Sequence, residues 1–131
     1  MLNKSCPFCK IASDTGHKDI LIQNAYGFVV RDRSPVTGGH SLIVPNRHVG
    51  SFFDISDDER QSLFSLLDLA KANIDADYQP DTFNIGINDG PAAGQTVPHL
   101  HIHLIPRYAK AGVDARGVRW VVPEKAAYTN E

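Results

Sequence analysis

The sequence predicts an α+β domain in which several short strands pack with one long helix. Three observations carry this expectation: short β-branched and aromatic runs, a single well-capped helical stretch beginning at Ser56, and turn-forming clusters between them. Hydrophobic residues make up 42% of the 131 positions and charged residues 21%, a composition that suits a folded core. A chain this long buries roughly two-thirds of its unfolded surface, so it folds without disulfides or oligomerisation. One domain is expected over 1–131, with its core in about 1–110 and a C-terminal tail in 111–131.

The elements follow in order. Residues 6–13 read as a short helix with Phe8 and Ile11 on one face. Residues 20–22 and 26–31 read as a hairpin parted by Gln23-Asn24-Ala25. A turn-rich stretch from Ser34 to Gly39 leads to a strand over 40–44 that Pro45 closes. Ser56 caps the long helix, Asp57 and Asp58 complement its dipole, and Glu59 completes a capping box. Leu63, Leu66, Leu67, Ala70 and Ile74 recur at helical spacing, while Phe64 and Leu69 widen the stripe into a surplus that a dimer contact would use. Residues 75–81, with Pro80 inside, are expected to end the helix. Residues 82–88 alternate as a strand, and a Gly- and Pro-containing loop covers 89–95. The strongest strand is 99–106, where period two separates Leu100, Ile102 and Leu104 from His99, His101 and His103. The chain then loosens through Gly112 and Gly117, and 118–122 reads as a final short strand.

Thirteen Lys and Arg against fifteen Asp and Glu give a net charge of −2, so no sequence-wide field recruits nucleic acid or an anionic membrane, and neither is expected as a partner. No apolar run approaches the ~18 residues needed to span a bilayer, and the first twelve residues carry no export signal. A cytoplasmic protein is expected. Cys6 and Cys9, its only cysteines, stand three apart; in a reducing compartment that spacing points to metal or redox chemistry.

Three alternating histidines place imidazoles about 6.5 Å apart on one strand face, each able to act as nucleophile, base or ligand. A solvated His-rich face and a three-His catalytic metal site are the competing readings; the second lacks neighbouring carboxylates to orient the rings. Nucleotidyl transfer asks for an imidazole fixed in one tautomer with donors around phosphate oxygens. Asn88, Gln95 and Thr96 flank the loop Gly90-Pro91-Ala92-Ala93-Gly94, whose backbone can approach phosphate. Cys6-Pro7-Phe8-Cys9 suits zinc completed by two donors from His17, His40, His48, His99, His101 and His103. His48 is the best-placed third ligand by sequence. A redox role fits less well, because only five residues precede Cys6. Asp32 ends the second strand, where it either accepts ribose hydroxyls or caps a turn.

The run His99-Leu100-His101-Ile102-His103-Leu104-Ile105 resembles the signature of the histidine triad (HIT) family of nucleotide hydrolases and transferases. The resemblance extends from Cys6 through Asp32, Gly39-His40, Pro45 and His48 to Asn88, Gly94-Gln95-Thr96 and Pro106-Arg107. It implies a five-stranded antiparallel sheet, dimerised through the long helix and the strand beside it into one continuous sheet. By the same resemblance His101 is the nucleophile that forms a covalent nucleotidyl-histidine at the α-phosphorus, His103 and His40 support and polarise the site, and Gln95, Thr96 and Asn88 hold phosphate oxygens and the departing group. Asp32 becomes the ribose ligand, with Phe8, Ile11 and Leu42 as walls of the base pocket. Bacterial members with Cys-x-x-Cys imply a structural zinc on Cys6, Cys9, His48 and His99. The loop 89–96 resembles the fragile histidine triad branch, which splits dinucleoside polyphosphates to release AMP, whereas Asn88 resembles the Hint branch, which cleaves nucleoside phosphoramidates. The expected activity is the first; a purine nucleoside phosphoramidase and a zinc-stabilised nucleotide-binding or interaction module are the alternatives. Arg116 and Arg119 are expected to be solvated rather than to reach phosphates across a dimer.

Overall fold

Pro7 at the first helical position and Cys6 as N-cap start the short helix α1, Pro7–Ala12, which buries Phe8, Cys9 and Ile11. The structure, a computed structural model, describes residues 3–111 and 116–126. Five strands follow: β1 (Ile22–Gln23), β2 (Gly27–Arg31), β3 (Ser41–Pro45), β4 (Thr82–Gly86) and β5 (Ile102–Arg107). They form one sheet in the order β1-β2-β3-β5-β4, and every neighbouring pair is antiparallel. The long helix α2, Asp57–Tyr78, connects β3 to the edge strand β4. β5 then returns between them.

Ser56 and Glu59 form the expected capping box at the start of α2. The helix runs past its expected end to Tyr78, because a Lys71–Asp75 ion pair at 2.7 Å spans the last turns and the stop comes at Gln79, in a left-handed conformation just before Pro80. Leu63, Leu66, Ala70 and Ile74 pack on Val29, Ile43, Leu100, Ile102 and Leu104 to make the main core. The opposite sheet face carries Phe28, Val30, Leu42 and Val44 under Phe8 and Ile11 of α1. Alternation therefore sends the leucines and isoleucine of the histidine strand toward α2 and leaves His101 and His103 on the α1 side. Gly27 permits this close layering: a Cβ there would lie 2.5 Å from the Val44 carbonyl oxygen.

Several boundaries differ from expectation. The first strand is Ile22–Gln23 rather than 20–22, since Ile20 turns away to pack with the α1 cluster. β4 ends at Gly86, and β5 begins at Ile102 rather than at 99, after a segment tied back by the Leu100 amide to the Val49 carbonyl at 2.7 Å. Val118–Val121 is a 3-10 turn, not a strand. Gly112 and residues 127–131 of the expected tail lie outside the described residues. Phe64 and Leu69 are exposed on α2, as is Ile85 on the edge strand. Among the described residues, no helix is long and apolar enough to cross a membrane.

Candidate active site and metal centre

His101 sits one residue before β5, and its Nδ1 lies 2.8 Å from the His99 carbonyl oxygen. A carbonyl only accepts, so Nδ1 carries the proton and the Nε2 lone pair is left free. The Phe8 ring packs against this imidazole at a centroid separation of 5.1 Å, and His103 lies at the same distance on the other side. Opposite Leu42 in the β3–β5 register, His103 brings Nδ1 to 2.9 Å from Nε2 of buried His40. Burial holds both rings below the usual imidazole range, His103 at about 4, with His101 and His40 adding to the fall in His103 and nearby Asp32 opposing it in both. Asp32 follows β2 and splits its carboxylate. Oδ1 accepts the Ser34 amide at 2.9 Å, the turn-capping role, while Oδ2 stands 3.4 Å from His40 Nε2.

The third member of the histidine row leaves it. His99 is fully buried and donates from Nε2 to the Pro45 carbonyl at 2.8 Å, so its bare Nδ1 faces the cysteines. Burial depresses its pKa to about 4, and the neighbouring His48 and His101 add to the shift against the Pro45 contact. Cys6 Sγ lies 3.3 Å and Cys9 Sγ 3.6 Å from His99 Nδ1; His48 Nδ1 is 3.2 Å from the same atom and 3.1 Å from Cys9 Sγ. Sulfur and nitrogen ligands around a tetrahedral zinc ion would stand about 3.3 to 3.8 Å apart. The four atoms thus form a group of metal-holding size, and the His99–Pro45 contact is the kind of outer hydrogen bond that orients a metal-bound imidazole. Burial raises the Cys9 thiol, so a cation is what would favour its thiolate.

Not every expected residue points the same way. Phe8, Ile11 and Leu42 are buried together in the cluster under α1, with the Phe8 ring against His101. Gln95 turns inward: Oε1 accepts the Gly90 amide at 2.8 Å, and Nε2 donates to the carbonyls of Gly50 and Val97, each at 3.0 Å. Its amide buckles the loop. Thr96 and Asn88 are exposed. Arg116 stacks on Trp120 at 4.2 Å and Arg119 donates to the Lys125 carbonyl at 2.9 Å, so both exposed arginines engage their own segment. Two residues escaped the sequence reading. Arg47, beside His48, forms a paired contact with buried Glu59, and Asp89 accepts from the Ser51 hydroxyl and the Phe52 amide, tying the loop to the segment after His48. The adjacency of Arg47 to His48 and of Asp89 to Gly90 was the only hint available.

The HIT domain family model matches residues 15–110. The chain belongs to the HIT family. A bis(5'-adenosyl)-triphosphatase of Saccharomyces cerevisiae is 40% identical over 92 residues, 70% of this chain and 45% of that protein, so this HIT chain spans under half the length of that relative. The crystal structure of a HIT family protein from Bacillus anthracis is 32% identical with a TM-score of 0.74, covering 88% of this chain and 84% of that one. A Zn-bound histidine triad family protein from Mycobacterium smegmatis is 31% identical with a TM-score of 0.73, covering 86% of this chain and 82% of that one. The five-stranded antiparallel sheet with its long helix is thus the fold of HIT proteins.

Proposed function

We propose that this HIT protein is a hydrolase of dinucleoside polyphosphates that releases AMP through a covalent intermediate on His101. The observation that carries the reading is the 2.8 Å contact from His101 Nδ1 to the His99 carbonyl, which leaves Nε2 as a directed lone pair beside His103. Nε2 forms a bond to the α-phosphorus as the bridging P–O bond breaks, and His103 Nε2–H donates a hydrogen bond to the departing nucleotide oxygen, which leaves as an anion. Water then attacks the phosphorus, the P–N bond breaks with its electron pair returning to His101 Nε2, and AMP leaves as one proton of the water passes to solvent. Asp32 accepts ribose hydroxyls, and Phe8, Ile11 and Leu42 form the apolar wall for a purine. Asn88 and Thr96 hold phosphate oxygens. Gln95 acts through the loop that its three hydrogen bonds buckle.

Zinc on Cys6, Cys9, His48 and His99 supplies a cross-link rather than an electrophile. The named activity of the yeast relative supports the substrate class, and Asn88 favours nucleoside phosphoramidates as the second substrate to try. Exposed Phe64, Leu69 and Ile85 support a homodimer through α2 and β4, measured by sedimentation equilibrium. The deciding experiment mixes the protein with diadenosine triphosphate, quenches with acid within milliseconds and maps the adduct by mass spectrometry. An adenylate on His101 at single-turnover rate supports the proposal; AMP release with no adduct sinks it.

A further inference from the structure

We infer that the main-chain amide of Val36 is a positioning group that sets the tautomers of His40 and His103, and thereby makes His103 Nε2–H the hydrogen-bond donor to the leaving oxygen in the proposed reaction. The inference rests on the functional reading above and deepens it. Val36 N lies 3.0 Å from His40 Nδ1. An amide N–H can only donate, so Nδ1 must offer a lone pair and the ring proton of neutral His40 is forced onto Nε2. That Nε2 faces two acceptors, His103 Nδ1 at 2.9 Å and Asp32 Oδ2 at 3.4 Å. His103 Nδ1 therefore accepts, and the proton of His103 stands on Nε2. Burial keeps both rings below the usual imidazole range, so each holds one proton near neutrality and the chain of directions has a single solution. With the opposite tautomer at His40 the polarity would invert, and His103 would present a lone pair where the leaving oxygen needs a hydrogen-bond donor.

The fold spends several contacts on keeping that amide in place. The Ser34 amide donates to Asp32 Oδ1 at 2.9 Å, and the His40 amide to the Thr37 carbonyl at 3.2 Å. Thr37 Oγ1 donates to the Pro106 carbonyl and the Tyr108 hydroxyl to the Gly38 carbonyl, both at 2.6 Å. Gly39 has a φ of +93°, and a Cβ there would press within 3.1 Å of the Tyr78 ring, so the turn closes only with glycine. Two of these straps come from the end of β5 and its next residue, the same stretch that carries His103. The Val36 side chain itself is 68% exposed. Position 36 contributes its N–H and little else.

The test replaces Val36 by its α-hydroxy acid, which turns the amide into an ester and deletes only that donor, in the full chain loaded with zinc. Histidine side chains labelled with nitrogen-15 report each tautomer directly by long-range nitrogen–proton correlation. The wild-type chain is expected to show Nε2–H on both His40 and His103. Val36→Ala, which keeps the amide, retains that pattern. The ester is expected to admit the Nδ1–H form of His40 and to lower kcat on diadenosine triphosphate about tenfold with KM unchanged. If the ester does not fold, Thr37→Val loosens the strap and is expected to mix the His40 tautomers with faster exchange of the Val36 amide. A wild-type His40 protonated on Nδ1, or tautomers untouched by both variants, overturns the inference whatever turnover does. Tautomers that move while kcat holds support the amide's role and overturn instead the donor role given to His103.

Discussion

Glu59 offers a prediction whose size follows from the geometry. Its carboxylate accepts Arg47 Nε at 3.0 Å on one oxygen, and on the other both the Arg47 terminal nitrogen and the Ser56 amide at 2.8 Å. The Arg47 hydrogen bonds are the main reason the carboxyl is held at about 2 instead of 4.5, with burial opposing and the Ser56 amide assisting. A depression of that size corresponds to about 3 kcal/mol; Arg47 is 49% exposed, so solvent screening reduces the expectation to about 2 kcal/mol. Glu59→Gln keeps the shape and the amide cap but removes the charge. Because the folded pKa is depressed, the stabilisation is complete above pH 4.5 and is lost as pH falls toward 2. Urea unfolding of both proteins at pH 7, 5 and 3 should show a gap of about 2 kcal/mol at neutral pH that narrows steeply at the lowest value. Subtracting the two chains cancels the acid sensitivity of the buried histidines and cysteines that both share. A gap below 0.5 kcal/mol at pH 7, or one that does not shrink at pH 3, would refute the reasoning.

Other outcomes follow from the site. His101→Ala should bind nucleotide and unfold like wild type while losing about 1,000-fold or more in kcat, checked by calorimetric binding beside steady-state turnover. Cys9→Ser should purify with well under one zinc per chain by elemental mass spectrometry and melt several degrees lower, and chelator should unfold the wild type before any folded, inactive form accumulates. Gln95→Ala removes three hydrogen bonds from one loop; hydrogen exchange at the Gly90 amide should speed up at least tenfold and KM should rise more than kcat falls. Phe8→Ala should cost about 3 to 4 kcal/mol and also lower kcat, because the ring touches both His99 and His101.

What the sequence made legible was whatever residue type and period encode. Ser56 and Glu59 declare a helix start, and the alternation from 99 to 104 assigns its two faces, because capping and pleating act on near neighbours. The far end of α2 was obscure, since Asp75 and Asp77 read as turn residues and the stabilising Lys71–Asp75 pair looks like any other charge pattern. Spacing alone announced Cys6 and Cys9 of the four-residue group and the family resemblance added His48 and His99, because only the tertiary fold brings position 48 beside 99. Gln95 illustrates the opposite case: an amide beside a glycine loop suggests a phosphate contact, yet its direction is set by carbonyls at 50 and 97 that sequence cannot place. Main-chain donors such as the Val36 N–H carry no residue signature at all. The fold alone sets their direction.

His99 belongs to two systems by two different parts of itself: its ring joins the cysteines, while its carbonyl fixes the ring of His101. Every amino acid owns a carbonyl, so the orienting half of this arrangement is immune to substitution and the metal half is not. Were the imidazole at 99 traded for a hydrocarbon and the cysteines repacked, the instruction that aims the His101 ring would still be written into the peptide chain.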